Sequence, residues 1–485
     1  MNFFERMIAF LAPRYAVKRA IAHHSLRAYE GAVTGRRGKG WKAPNGDADT
    51  VIAQSLERLR NRSRQLVRDN AYAERAVRTI VSNVVGTGIM SKMSDSNLDK
   101  RWQEWCYSRR PDFYGKMDFC GLQALVMRSV VESGEVLIRR RRGETRDDHT
   151  SLQILEADFL DTNKTDKTDR IRDGIEFDDN GRVVAYHVFK IHPGARTINF
   201  KLNFESVRIP ASEIIHLYRT DRPGQNRGVP WAAPVMLRMR DYDDYEDAQL
   251  MRQKIAACFV GFVESSEDPA TQASGDEQKP LSERFTPGQW EVLGPGQKIS
   301  FGSPPSVGAD YEPYVRRTLT MLAAGWGLSY EALTGDLSQV NFSSGRMGWI
   351  EMGRNISAWQ WQLMIPNFCE PVKNWWLEGE GLSASTRVPV KLQTTWTPPR
   401  REMIDPTKEV PAMKDAIRSG LATLSDSVRQ LGYDPDDHLS ELESDFKKLT
   451  AKNLVLDCDP RNDLKLKQGS GDQNNGAEAN GKKAT

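Results

Sequence analysis

Apolar residues recur at intervals of three and four along most of this chain, and at intervals of two in one central stretch. From Asp49 to Val85 the positions Ile52, Leu56, Leu59, Leu66, Ala73, Val77, Ile80, Val81 and Val84 predict two or more helices, stopped by Gly86 and Gly88. A further helix is expected over Leu122–Glu132. The period then changes. SGEVLIRRRR alternates Val136 and Ile138 with charges, and SLQILEADFL, GIEFDDNGRVVAYHVFK and EIIHLYR carry strand signals to about Tyr218. Asn180-Gly181 stands between two alternating runs, a short-range hairpin signal.

After Pro230, Trp231 and Pro234, a helix is expected from about Val235 through Ala257 with no glycine or proline inside. At the usual helical rise it would be on the order of 35 Å long. A glycine- and proline-rich section, Val260–Gly308, follows with one strand candidate, WEVL. A helix returns over Tyr311–Ala324, with Val315, Leu319, Leu322 and Ala323 at helical spacing and Gly325 and Gly327 at its end. Trp349, Met352, Ile356, Trp359 and Leu363 then mark one apolar stripe of a long helix, which Pro366 and Pro371 are expected to kink or break. Between these two helices the chain is a loop of Ser, Gln and Asn residues, expected to hold no rigid shape of its own. A strand region over Val388–Trp396 and helices at Thr407–Gly420 and Ser425–Gln430 complete an α+β reading, with Gln468–Thr485 expected to be disordered.

At 485 residues the chain exceeds the size at which single cores stop growing, so more than one packing unit is expected. The 68 basic residues nearly balance 65 acidic ones, so total charge favours no partner. Distribution says more. Met1–Trp41 carries eight basic residues against two acidic and ends in TGRRGKG, which reads as a solvated arm or as a contact for DNA phosphates or an acidic surface through Arg36, Arg37 and Lys39. Five scattered cysteines without a C-x-x-C pair read as buried or free thiols in a reducing compartment. The apolar run Met7–Ala12 is too short to span a bilayer, so no membrane is expected and synthesis in the cytoplasm is.

The seven histidines form no catalytic constellation, and GRRGKG at Gly35–Gly40 lacks the Ser or Thr that would hold magnesium after the lysine. The acidic run DYDDYED, Asp241–Asp247, is the one tempting metal or acid/base site. On a helix Asp243, Asp244 and Asp247 share a face, yet neighbours at these offsets rarely converge on a cation. An ordinary solvated face is the plain alternative. Trp349 and Trp359 read as packing residues and Trp361, nearly opposite, as an interface residue.

Three runs carry a resemblance. RDNAYAERAVRTIVSNVVGTGI at Arg68–Ile89, HLYRTDRPGQNRGVPW at His216–Trp231 and AAGWGLSYEALTGDLSQVNFSSGR at Ala323–Arg346 resemble, in order, the portal proteins of tailed bacteriophages of the lambda type. The resemblance implies the portal fold assembled as a twelve-fold ring at one capsid vertex. Duplex DNA would pass through its central channel during packaging and ejection. It further implies docking to the terminase motor, to major capsid and scaffold proteins and to head-tail adaptor proteins, location in the virion after assembly in the host cytoplasm, and neither enzymatic activity nor cofactor nor metal.

Carried onto this sequence, residues 1–48 become a basic arm, 49–233 the wing, 234–257 the stem helix, 258–309 the clip and 310–328 the returning stem helix. Residues 329–345 become the tunnel loop, 346–404 a long kinked helix and wing strand, 405–459 the crown and 460–485 a disordered tail. Asp243, Asp244 and Asp247 would line the channel, where repelled phosphates leave the duplex weakly attached, and Ser338, Gln339, Asn341, Ser343 and Ser344 would touch it without gripping. The rival is a metal-dependent DNA-processing enzyme built on Asp241–Asp247.

Overall fold

The computed structural model describes residues 45–143, 149–195, 205–257, 261–265, 297–301, 311–383, 392–399, 402–454 and 456. Two compact units are distinguished: residues 1–54 with 222–225, and residues 55–221 with 226–485. In the first, α1 (Ala48–Ala53) is capped by Asp47, whose carboxylate accepts from Thr50 N–H at 3.2 Å, and Arg222 donates to the Gly46 carbonyl at 3.2 Å.

The second unit opens with α2 (Leu56–Asp69) and α3 (Ala71–Val84), followed by strand β1 (Met90–Met93), α4 (Ser96–Tyr107) and α5 (Phe119–Ser133). The apolar stripe of α3 is buried at Ala73, Ala76, Val77, Ile80 and Val84. Trp102 and Trp105 of α4 stack at 5.1 Å between ring centres and meet Phe119 of α5, and Trp102 also meets Trp376, closing an aromatic cluster at the centre of the main core. Their indole N–H groups are satisfied by the Ser91 hydroxyl and the Thr150 carbonyl.

Strands β2 (Glu135–Arg141), β3 (Ser151–Glu156), β4 (Ile171–Arg172), β5 (Ile175–Phe177), β6 (Val183–Phe189), β7 (Ser206–Pro210) and β8 (Ile214–Tyr218) form two antiparallel sheets, ordered β3-β2-β8 and β4-β5-β6-β7. Alternation along β2 explains its place: Val136 and Ile138 face the main core, while Leu137 faces a second core with Leu155, Ile175, Tyr186, Ile209 and Ile214. The Asn180-Gly181 hairpin forms between β5 and β6 as expected, with Gly181 at φ 76°.

Helix α6 (Met236–Ala257) comes next, then strands β9 (Gly261–Ser265) and β10 (Gln297–Phe301), which pair antiparallel, and α7 (Tyr311–Trp326). The WEVL candidate lies outside the described residues. Beyond α7 are α8 (Tyr330–Thr334), α9 (Phe342–Ala358), a π-helix (Trp359–Cys369) and α10 (Glu370–Ser383). Strand β11 (Thr394–Thr397) pairs with β1, and α11 (Pro406–Arg418), α12 (Leu424–Gln430) and α13 (Pro435–Ala451) follow.

One expectation is narrowed here. Pro366 does not break the long helix. The chain runs helically from Phe342 to Ser383 by widening to a π-helix, in which Glu370 N–H reaches back five residues to the Ile365 carbonyl. The Asn367 side chain donates to the Gln362 carbonyl at 3.1 Å, supplying a donor where the proline has none. In the single chain Trp349 is 37% exposed and Trp361 52% exposed, and Trp359 packs on Trp231. Cys106, Cys120 and Cys369 are free thiols, in keeping with the sequence reading, and Cys258 and Cys458 lie outside the described residues. No helix among the described residues is long and apolar enough to cross a membrane.

Candidate functional site

The acidic helix α6 is fixed at its root by buried charge. Gly134, at φ 91°, lets the end of α5 approach the 228–230 backbone so closely that a Cβ there would stand 2.5 Å from the Val229 carbonyl carbon. The next residue, Glu135, is fully buried and accepts from Arg227 Nη2 at 2.6 Å, Arg227 Nε at 3.1 Å, Gly228 N–H at 2.8 Å, His216 Nε2 at 3.1 Å and Arg60 at 3.4 Å. Burial alone would push the Glu135 carboxyl up, but the Arg227 charge and the hydrogen bonds from His216 and Arg227 outweigh it and hold it well below the usual carboxylate range. Arg60 continues to Asp158 at 3.3 Å, and Arg64 reaches the other Asp158 oxygen at 2.6 Å.

From this anchor the chain passes through Trp231, buried between the Trp359 ring and the Arg219 guanidinium at 4.8 Å each, into α6. One side of α6 packs inward: Met239 accepts from the Trp326 indole at 3.4 Å, Tyr242 meets Tyr72 edge-on at 6.0 Å, and Tyr245 lies against Tyr311 and Tyr314 of α7. Tyr311 donates to Glu246 at 2.9 Å, and burial together with that carboxylate pushes its hydroxyl up to about 12.

The structure separates the three aspartates expected to share one face of the acidic run, Asp243, Asp244 and Asp247. Asp243 is half-buried and accepts two hydrogen bonds from the Asn70 side-chain amide, at 2.7 and 2.9 Å, while the Asn70 carbonyl oxygen caps α3 through Ala73 N–H. Asp244 and Asp247 are exposed and make no hydrogen bond or ion pair among the described residues. Asp241–Asp247 do not bring three ligand atoms within 4.8 Å of one another; the group that does so among the described residues is Glu156, Asp158 and His192. There Arg64 already pairs with Glu156 and Asp158, and Arg60 with Asp158, so the carboxylates are neutralised without a cation.

The polar loop is shorter and better held than its composition suggests. Ser329 caps α8 through Ala332 N–H, and Gly335, at φ 76°, ends it. Arg75 donates to the Ala332 carbonyl at 3.1 Å and its guanidinium lies where a Cβ on Gly335 would meet it at 2.9 Å. Asp336 accepts from Ser338 N–H at 2.9 Å and from the Tyr330 hydroxyl at 3.0 Å, and the bonds from Ser338 keep its carboxyl below the ordinary range. The expected loop over 329–345 therefore narrows to residues 335–341, because Ser329 and Gly335 are the two ends of a one-turn helix. Ser338, Gln339 and Asn341 are exposed on this loop, while Ser343 and Ser344 belong to the first turn of α9. Arg36, Arg37 and Lys39 lie outside the described residues.

Periodicity pointed to neither Glu135 nor its partners. The signal was present in the motifs, since His216, Arg227 and Gly228 belong to one run, Asn70 and Arg75 to another, and Ala332 and Gly335 to the third. The His216–Trp231 run holds the root of α6 through Glu135, while the Arg68–Ile89 run reaches α6 at Asp243 and meets the third at the base of the loop.

Comparison with known proteins follows the same lines. Residues 34–360 match the sequence profile described as phage portal protein, lambda family. The probable portal protein of Halomonas phage phiHAP-1 is 28% identical over 443 residues, spanning 84% of either chain. The portal protein of Escherichia phage N15 is 24% identical, covering 84% of this chain and 88% of its own. Among solved structures, the neck of an empty gene transfer agent particle contains a chain with 15% identity and a TM-score of 0.48, matched over 83% of this chain and 99% of that one.

Proposed function

The chain belongs to the lambda family of phage portal proteins, and from that membership we infer that copies of it close into a ring, twelve-fold in the particle, at one vertex of the head. Duplex DNA enters and leaves through the central channel. The terminase motor, capsid and scaffold proteins dock outside it during assembly in the host cytoplasm, and head-tail adaptors later. The observation that carries the channel assignment is the asymmetry of α6: one side is packed and hydrogen-bonded, while Asp244 and Asp247 stand exposed and unpaired among the described residues on another. A ring of unpaired carboxylates repels phosphates, so a duplex beside it releases few counterions and slides. Ser338 and Gln339, uncharged and exposed on a loop with a braced base, contact the moving strand. The chain supplies no catalytic step; chemistry that drives packaging belongs to the motor.

Electron microscopy of the purified full chain is expected to show rings with a central hole, and compact particles without one would end this reading. In assembled heads, Asp244→Lys with Asp247→Lys is expected to leave rings intact and to stall or retain DNA. Normal packaging by that variant would remove the two aspartates from the channel. The metal-dependent alternative requires cleavage stimulated by magnesium, for which the diverging carboxylates of Asp241–Asp247 give no geometric support.

A further inference from the structure

Elsewhere in this fold two neighbouring guanidinium groups share a carboxylate: Arg60 and Arg227 meet on Glu135, and Arg60 and Arg64 on Asp158. The pair Arg139 and Arg141, on the same side of β2, departs from that rule. Between them stands the neutral Gln153, which faces Arg139 in the ladder and accepts from Arg141 Nε at 3.0 Å. Arg139 Nε is buried with no hydrogen-bond partner among the described residues. Burial and the nearby Arg141 charge hold the Arg139 guanidinium below its ordinary range, with Glu213 opposing them, and Glu213 itself pairs with Arg142 at 3.7 Å.

Beside this under-compensated pair lies a rigid aromatic surface. Phe113 and Tyr114 are 44% and 57% exposed, yet neither hangs loose. The Asp112 carboxylate accepts from the backbone N–H groups of Tyr114, Lys116 and Met117, Phe113 N–H bonds the Leu152 carbonyl, and the Gln153 amide donates to the Tyr114 hydroxyl at 2.9 Å. Arg141 lies over the Phe113 ring at 5.0 Å. Preorganised aromatics next to arginine are the make-up of protein-binding hot spots. With one face of Phe113 covered by Arg141, base stacking is disfavoured, and positive charge selects an acidic partner.

We propose that Phe113, Tyr114, Arg139 and Arg141 form a docking site for a partner protein's acidic segment, one carboxylate seating between the two guanidinium groups and an apolar neighbour covering the rings. The site does not depend on ring closure or on DNA.

The test uses the full-length protein and fluorescence anisotropy of a labelled peptide of repeated Glu-Glu-Phe. Saturable binding is expected, weakened about tenfold or more by Gln153→Glu, which places the missing carboxylate inside the protein while keeping the fold, and likewise by Arg139→Ala with Arg141→Ala. Equal binding by the Gln153→Glu variant would overturn the proposal, as would equal binding of a Gln-Gln-Phe peptide or preference for a single-stranded oligonucleotide. Neutralising the acidic residues that follow β2 in the sequence, by Glu144→Gln, Asp147→Asn and Asp148→Asn, is expected to leave affinity unchanged. A large gain would identify those residues as the occupant and also overturn it.

Discussion

The root of α6 and its exposed side are both rich in charge, and they treat it oppositely. At the root, Glu135, Arg227, Arg60 and His216 are paired in a network almost sealed from water, which Arg60 extends to the partly buried Asp158. Along the helix, Asp244 and Asp247 are exposed without partners among the described residues, and Arg238 touches Asp241 only at 4.0 Å. A buried ion is tolerated only when its lone pairs and protons are met, so the root's geometry is fixed by the cost of disturbing it. Exposed like charges contribute little to stability and can be kept for what they do to a passing molecule. Folding thus depends on one end of the element and the proposed function on the other.

The comparison breaks most sharply at Glu135. Glu135→Ala strands two guanidinium groups in a dry site and is expected to cost about 3–5 kcal/mol, read as a fall in the urea midpoint or as insoluble protein. Glu135→Gln keeps shape and some hydrogen bonds and is the milder variant. Because the folded carboxyl is held below its ordinary value, its contribution is fully present above that ordinary value and is lost as pH falls from there through the depressed one. Asp158, where burial is outweighed by Arg60 and Arg64, acts in the same direction. The melting temperature of the wild type should fall more steeply from about pH 5 downward than that of Glu135→Gln. Parallel curves would mean that the root does not carry the acid sensitivity.

How far the sequence disclosed this arrangement follows from range. Helical stripes such as Ala73, Val77, Ile80 and Val84 and the hairpin at Asn180-Gly181 are local, and the structure has them where periodicity places them. The Ser329 cap and Gly335 stop were equally local but were outweighed by the polar composition around them. In the same way Asp434 and Pro435, a cap followed by the preferred first-turn residue, announce α13, which periodicity did not separate. Glu135 pairs with residues 75, 81 and 92 positions away, so nothing nearby marks it as buried. Asp243 looked equivalent to Asp244 because helical offsets alone do not reveal that Asn70, 173 positions distant, takes it.

Between root and exposed side lie the residues that brace them, and intermediate effects are expected there. Asn70→Ala removes the cap of α3 and the partner of Asp243 together and should cost about 1–2 kcal/mol by chemical denaturation. Gly335→Ala imposes a left-handed backbone on an L side chain and crowds Arg75, a cost of about 1 kcal/mol or somewhat more. Its larger consequence should be local, seen as faster amide exchange over residues 335–341 with the remainder unchanged. Exchange that accelerates throughout would show the loop base to be part of the core.

The smallest stability effect is expected where the functional one is largest. Asp244→Asn with Asp247→Asn removes two exposed charges that no described residue pairs with, so the urea midpoint should move by no more than about 0.5 kcal/mol equivalent. Asp243→Asn offers the internal contrast. It sits one residue away, yet weakens a charged hydrogen bond from Asn70 and should destabilise by about 1 kcal/mol. If the pair Asp244 and Asp247 proved as costly as Asp243, they would have to be engaged in the assembled state, and their exposure in the single chain would then mark a subunit contact in place of a channel wall.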